Sequence, residues 1–590
     1  MPTPTRTQKW VRAGTLDDLQ RRECLVASGE GHNIAVFYHQ NEIYAVDNRC
    51  PHMGFPLSQG SVEDGILTCH WHHARFDLES GGTFDPWADD VRSFPVEVRD
   101  GEIWVDVSSQ VDRVEHQRTR LREGLEQNIR LVVAKAAIAL TASDVPAEEP
   151  FRVGVDFGVR YRDNGWGAGL TILTALQNLL PYLDAETRGQ ALYQGLSAVA
   201  VDTDDRAPRF TLRALPDPID DPDRLKRWFR RFIEVRDADG AERCLVTAAR
   251  SGLGRERIAE MLFSAATDHR YLNVGHVLDF INKGLEALDH LGWDDLELTE
   301  RVLSSLAPGL AHADRMEESN SWRNPIDLVK ILDDAFARIP EALETGRAHR
   351  GEWTGDQLDA FVETVLSDDP RRIAEACLDA LRAGATEAGL AKEISCAAAR
   401  RIAQFPTSNE FSDWDTALHT FTYANAVHQG LRRTPSMELL RGAFDAAMSV
   451  YLDRFLNTPP AKLPSIGDAE PADPDGLLQE LVELLDTQQP VDDAGGLVTR
   501  YLGNDGDPAR LIATLARALL REDRDFHTIQ SLEASVALYR TLRTPHVQAN
   551  ALVAAARYLA AHAPTHRAQF QTYDIARRLH RGETLYRASG

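Results

Sequence analysis

The sequence predicts a multidomain chain, a small all-β domain followed by a large all-α domain, and three observations carry that reading. The opening hundred residues hold short runs rich in β-branched and aromatic side chains, separated by turn formers. After Ser108 the apolar residues recur instead at three- and four-residue spacing. At 590 residues the chain is also too long for one hydrophobic core, so about two to four domains are expected.

Taken in order, residues 24–26, 34–38, 43–46 and 103–105 read as strands. Gly29-Glu30-Gly31 and Asp100-Gly101 supply turns between them, which gives a small antiparallel barrel or sandwich over residues 1–108. Leu121, Leu125, Ile129, Val132, Val133 and Ala136 then form the stripe of an amphipathic helix. A break at 143–150 closes a connecting segment over 109–149. Residues 150–590 are helical segments rich in Ala, Leu and Arg, interrupted by Pro/Asp-rich loops at 216–223 and 458–474. No self-similarity persists at the periods of helical solenoids, so a compact, irregular all-α domain is expected.

The metal-ligating residues concentrate near the front. Cys50-Pro51-His52 and Cys69-His70-Trp71-His72 make a Cys-x-His and a Cys-x-x-His loop with sixteen residues between them. Thiolate and imidazole together suit zinc as well as iron–sulfur centres, so ligand order decides. Zinc fingers group Cys with Cys and His with His, whereas here each loop offers one of each. Two matched loops of that kind can clamp a dinuclear cluster, with both Cys on one iron and both His on the other.

The flanking residues extend the pattern through Pro56-Leu57-Ser58-Gln59-Gly60, Phe76-Asp77, Gly81-Gly82, Phe94-Pro95-Val96 and Gly101-Glu102-Ile103-Trp104-Val105. Residues 8–107 thereby resemble the Rieske 2Fe-2S family. The resemblance implies a 2Fe-2S cluster on Cys50, His52, Cys69 and His72, with the two histidines toward the protein surface as the exit for electrons. His70 and His73 are then neighbours of ligands, not ligands. The loops lack the extra Cys of respiratory-complex Rieske proteins and so look like the ferredoxin and oxygenase branch. Neutral His ligands set an expected potential in the lower half of roughly −150 to +300 mV.

The helical part carries none of several familiar signatures. It has no His-x-x-x-x-His of a mononuclear oxygenase iron, no Glu-x-x-His pair of a di-iron bundle, no phosphate loop and no Gly-x-Ser-x-Gly. Gly165-Trp166-Gly167-Ala168-Gly169 lacks the last glycine of the dinucleotide fingerprint and reads as a helix entry, so no NAD or flavin site is evident. The basic stretch over residues 224–232 reads as an amphipathic helix with Trp228, Phe229 and Phe232 inward, or as a docking site for an acidic partner.

Three histidine-bearing segments stand out. In a continuous helix over 268–283, His269, Asn273, His276 and Lys283 would share a face. His419 shares one with Thr422 and Tyr423, and His527 shares one with Gln530 and Ser531. If these segments meet, His269, His276, His419 and His527 are the candidate catalytic residues, as ligands of a second metal or as acid–base groups. The same segments resemble the helical questin oxidase-like family of polyketide-tailoring enzymes, which implies oxidative opening of an aromatic ring. Where that family tends to show a histidine on its first helix, this chain has Asn164-Gly165-Trp166.

The formal charge of −25 argues against nucleic acid as the main partner. Six Cys, two of them in the metal motif, make no disulfide framework and point to a reducing cytoplasm. The Met1-Pro2-Thr3-Pro4 start has no apolar signal region, so export is not expected, and no apolar run reaches the roughly eighteen residues of a membrane span. The expected activity is a Rieske oxidoreductase that accepts electrons from a reductase and passes them to a helical domain oxidising a small organic substrate, in a monooxygenase-like reaction. The oxidising pocket is sought within the chain or across a homo-oligomer. The competing expectation is an electron-transfer or redox-sensing module fused to a helical protein-interaction scaffold.

Overall fold

The structure, a computed structural model, describes residues 9–108, 113–143, 145–351, 353, 356–468, 470–583 and 585–586. The start at residues 1–4 and the expected boundary at residue 109 lie outside them. The chain forms two compact units, one comprising Met1–Val153 with Gln571–Gly590 and the other Gly154–Phe570. The first is built on a small β domain and the second is helical.

Ten strands make up the β domain: β1 Trp10–Thr15, β2 Cys24–Gly29, β3 His32–His39, β4 Glu42–Asp47, β5 Ser61–Glu63, β6 Ile66–Thr68, β7 Arg75–Asp77, β8 Ser93–Phe94, β9 Val96–Arg99 and β10 Glu102–Asp106. They pair in three antiparallel sheets, ordered β1-β10-β9, β2-β3-β4-β8 and β5-β6-β7. Four hairpins use two-residue turns with both residues at positive φ: Glu30-Gly31, Gln40-Asn41, Asp64-Gly65 and Asp100-Gly101. That is the turn whose twist matches the strands it joins. Along β3 the pleat sends Ile34 and Val36 into one core with Val11, Ile103 and Val105, and Ala35 and Phe37 into another with Cys50, Leu67, Cys69 and Phe76. The second core is the floor of the Cys/His loops.

Helices complete this unit. The pair Arg113–Glu126 and Arg130–Thr141 brings Lys135 to the first Cys/His loop, where its Nζ donates to the carbonyls of Pro51 and His52, both at 2.6 Å. The C-terminal segment returns to the same place. Arg49 donates to the Glu583 carbonyl at 2.6 Å, and the Tyr586 ring stands edge-on to Phe55 and Trp71, at 4.8 and 5.4 Å.

The helical unit is organised around the helix Phe411–Arg433, which is buried nearly all round from Trp414 to Leu431 and so is a core helix, not an amphipathic one. A capping box between Glu410 and Asp413 starts it. The helices His276–Leu291, Met437–Leu452 and Phe526–Tyr539 pack against it. Gly167 caps the helix Ala168–Leu179, as its sequence suggests.

In the helix Pro222–Glu234 the buried side chains are Leu225, Phe229 and Ile233, with Trp228 and Phe232 half-buried. Lys226 pairs with Glu260 and Glu438, and Arg230 with Asp268. Much of that positive charge is therefore used within the unit. Among the described residues no helix is long and apolar enough to cross a membrane.

Candidate functional site

The two Cys/His loops have the same backbone. Cys50 N–H donates to the Phe55 carbonyl and Gly54 N–H to the Cys50 carbonyl, each at 2.8 Å; Cys69 N–H donates to Ala74 at 2.8 Å and His73 N–H to Cys69 at 3.0 Å. In both loops the fourth residue after the Cys has positive φ, +85° at Gly54 and +64° at His73. Each loop thus closes on itself and turns its Cys and His the same way. The thiols of Cys50 and Cys69 face one another, and the rings of His52 and His72 stand 4.9 Å apart.

The donor set fits a dinuclear iron–sulfur group on several counts. His52 Nδ1 is buried without a hydrogen-bond partner among the described residues. Backbone N–H groups of His52 and Met53 are directed at the Cys50 sulfur, and those of Trp71 and His72 at the Cys69 sulfur. Contact with Cys69 and burial push the Cys50 thiol up, while the same contact pulls Cys69 down to about 6. Burial, aided by the Lys135 charge, lowers His52 to about 4 and keeps the imidazole neutral, the form that ligates metal. His70 instead pairs with Ser61 Oγ at 3.0 Å, and His73 is exposed in its left-handed turn position.

In the helical unit His276, His419 and His527 converge, their ligand atoms all within 4.8 Å of one another. His419 Nε2 and His527 Nε2 are 2.9 Å apart, and the His276 ring centroid lies 4.5 Å from that of His419 and 5.8 Å from that of His527. Two nitrogens bound at about 2.1 Å to one ion, at right angles, stand roughly 3 Å apart, so the spacing suits a shared metal. Burial, reinforced by the neighbouring imidazoles, lowers His276 to about 4 and His419 to about 3. On the far side of His527, Nδ1 faces Asp415 at 3.8 Å and Asp525 at 3.7 Å. A carboxylate behind a ligating imidazole sets its tautomer and direction. The sequence holds a faint trace of this arrangement, since Asp415 stands one helical turn before His419 and Asp525 caps the helix of His527.

His269 is not in this group. Its ring donates toward Glu317 at 2.6 Å and Glu234 at 2.7 Å, so both nitrogens are taken. The expected continuous helix over 268–283 does not form, and the shared face of His269 with His276 fails with it. Tyr271, Asn273, Val274 and Gly275 all have positive φ, and the helix begins only at His276. Tertiary bonds override the helical pattern: Asn273 N–H donates to the Asp314 carbonyl at 3.0 Å and its side chain accepts from Asp314 N–H at 2.8 Å. Left-handed Val274 is strained, because a β-branched residue rarely adopts that conformation.

Beyond the turn the polar stripe continues. Gln530 donates to Asp279, and Lys283 Nζ, 1% exposed, sits between Glu533 at 2.7 Å and Glu286 at 2.9 Å. This ladder ties the helices of His276 and His527 together.

Two cavities reach this group, one at His419 and one at His276. The larger, about 440 Å³, includes His419 in a wall shared with Tyr271, Trp322, Thr420, Tyr451 and Asp453. The smaller, about 170 Å³, includes His276 with Asn164, Trp166 and Asn273. The Asn164-Gly165-Trp166 segment therefore lines space beside the triad without adding a histidine to it.

Comparison with known proteins gives the β domain a family. The Rieske [2Fe-2S] domain family matches residues 9–95. The ferredoxin component of the naphthalene 1,2-dioxygenase system of Pseudomonas putida is 31% identical over 103 residues, 17% of this chain and 99% of that protein. The ferredoxin subunit of 3-phenylpropionate/cinnamic acid dioxygenase from Photorhabdus laumondii is 38% identical over 80 residues, 13% of this chain and 76% of that protein. The solved ferredoxin of carbazole 1,9a-dioxygenase from Nocardioides aromaticivorans is 28% identical, over 17% of this chain and 97% of that one, with a TM-score of 0.16.

A substitution at Gly275 probes the turn that delivers His276. A Cβ there would meet Tyr271 Cε2 and Tyr423 Cβ at 2.9 Å, at a φ of +97°. Gly275→Ala is expected to cost about 1–3 kcal/mol in denaturant unfolding. Gly31→Ala, also at positive φ but with open space around it, should cost less than Gly275→Ala.

Proposed function

Because the chain belongs, through residues 9–95, to the Rieske 2Fe-2S domain family, we propose an oxidoreductase whose Rieske domain passes single electrons from a reductase to a metal centre on His276, His419 and His527. A metal held there would supply dioxygen chemistry for oxidising a small organic substrate in a monooxygenase-like reaction. One dioxygen, two electrons and two protons are consumed, one oxygen atom entering the substrate and the other leaving as water. The observation that carries this reading is the convergence of three histidines from three separate helices beside a cavity of about 440 Å³.

Cys50 and Cys69 would hold one iron of the cluster and His52 and His72 the other. When bound, the cluster supplies reversible one-electron transfer. The residues around it have defined tasks. The matched turns hold the four side chains in register, backbone N–H groups offset charge on the sulfurs, and Lys135 fixes the Pro51-His52 backbone while adding positive charge beside it. The dioxygenase ferredoxins among its relatives support an electron-carrying role.

In the helical unit, neutral imidazoles suit iron, copper, nickel or zinc. Of these, iron and copper meet a one-electron donor's chemistry, and iron is the ion proposed. Asp415 and Asp525 orient His527, and the cavity on the His419 side offers the substrate a largely apolar wall. A purely scaffolding helical region has no need to assemble three imidazoles on a shared point. The oxidative, aromatic-directed chemistry of the questin oxidase-like resemblance is compatible with this geometry.

Metal content tests the proposal. Anaerobically purified protein is expected to hold about two irons and two acid-labile sulfides for the cluster, plus about one further iron. Cys50→Ala should lose the first set together with the Rieske-type paramagnetic signal. His276→Ala should lose only the surplus iron. Wild-type iron that stops at about two per chain would contradict the helical metal centre.

Lys135→Met is expected to lower the cluster's potential, by roughly tens of millivolts, because a nearby positive charge favours the more negative reduced state. Spectroelectrochemical titration of the intact protein measures the shift. An unchanged or raised potential would contradict the role given to Lys135.

A further inference from the structure

Asp453 is a buried carboxylate that Thr420 and the Arg401 charge satisfy only in part. It sits 6% exposed in the wall of the cavity that includes His419, at the C-terminal cap of the helix Met437–Leu452. A carboxylate at a helix C-terminus is opposed by the helix dipole. Burial adds a second penalty and raises its pKa to about 7, against the hydrogen bond of Thr420 and the charge of Arg401. A third cost is local: Oδ2 is buried and has no hydrogen-bond partner among the described residues.

The surroundings show what is missing. Arg401 gives one guanidinium nitrogen to the Val450 and Leu366 carbonyls and acts on the carboxylate through its charge, without a hydrogen bond to it. Thr420, one residue from His419 on the helix Phe411–Arg433, lies against the carboxyl group and also lines the cavity. The remaining wall is largely apolar, with Tyr271, Trp322, Leu328, Tyr451 and Phe455, and the Arg454 guanidinium lies over the Tyr451 and Phe455 rings at 3.7 and 3.8 Å. An apolar, ring-bearing space with one half-satisfied carboxyl group in its wall suits a planar molecule bearing one well-placed donor.

We propose that Asp453 takes a hydroxyl group of the substrate as its missing hydrogen-bond partner, and so selects hydroxylated planar molecules and holds them beside His419. The inference rests on the reading that this cavity receives the substrate. Selectivity follows from the empty cavity's own penalty: a ligand with the hydroxyl relieves it, and a ligand with a methyl group in that place leaves it in force.

Two isosteric probes, 2-naphthol and 2-methylnaphthalene, separate the possibilities when their fluorescence is titrated with the intact protein under anaerobic conditions. Wild type is expected to bind 2-naphthol about tenfold or more tightly than its methyl counterpart. Asp453→Leu should bring the two probes to within about twofold by weakening 2-naphthol alone. Asp453→Asn, which keeps shape and hydrogen-bonding capacity, should retain most of the preference. No preference in wild type, or one that survives in Asp453→Leu, would overturn the inference. Equal loss of both probes in Asp453→Asn would also overturn it, by making the residue structural. Because the titration needs neither turnover nor iron, a protein lacking the helical metal but keeping the Asp453-dependent preference would sink the proposed metal centre and leave this inference standing.

Discussion

Imidazoles brought within ligand distance of one another must be neutral or share a cation, and that constraint shapes the helical unit. His276, His419 and His527 meet from three helices, with burial and mutual repulsion holding His276 and His419 well below their ordinary pKa. Apolar partners cover only part of this group, the Phe280 and Phe526 rings on the His276 side, and polar groups and open space take the rest. The result is a core helix, Phe411–Arg433, flanked on one side by a polar ladder through Asp279, Gln530, Lys283 and Glu533 and on the other by a ring-lined cavity. The strained turn over Tyr271–Gly275 belongs to the same account. It ends one chain direction and starts another so that His276 heads its helix at the meeting point.

The β domain solves a related problem by repetition. One loop conformation, used twice, delivers a thiol and an imidazole from each side, and the left-handed position is met once by glycine and once by His73. The helices that follow and the C-terminal segment then brace the first loop through Lys135, Arg49 and Tyr586. Electron transfer calls for a site that does not rearrange as its charge changes, and bracing of this kind supplies that rigidity.

What the sequence revealed follows the range of the interactions involved. The Cys50–His52 and Cys69–His72 loops are local, and their geometry lies in a few adjacent residues, so both the β domain and its cofactor were legible. Turn chemistry at Asp100-Gly101 was equally plain, whereas Gln40-Asn41 makes the same type of turn from less distinctive residues. In the helical region the three histidines could be singled out but not assembled, because their meeting depends on contacts between elements far apart in sequence. The continuous helix through His269 failed where Asn273 and Asp314 exchange hydrogen bonds, an interaction that periodicity does not carry. Asp453 was silent for the same reason. Its significance lies in being buried, half-satisfied and beside His419, and none of these is a property of the local sequence.

The proposed function has the electrons held by the Rieske domain spent at the three-histidine centre. Its most direct test is a stopped-flow experiment in which anaerobically reduced, desalted protein is mixed with dioxygen and 2-naphthol while the visible absorbance of the reduced cluster is followed. The account predicts that His419→Ala, with its cluster intact, slows reoxidation by at least about tenfold relative to wild type. Equal rates in the two proteins would contradict it, and would leave the Rieske domain serving an acceptor other than the helical histidines.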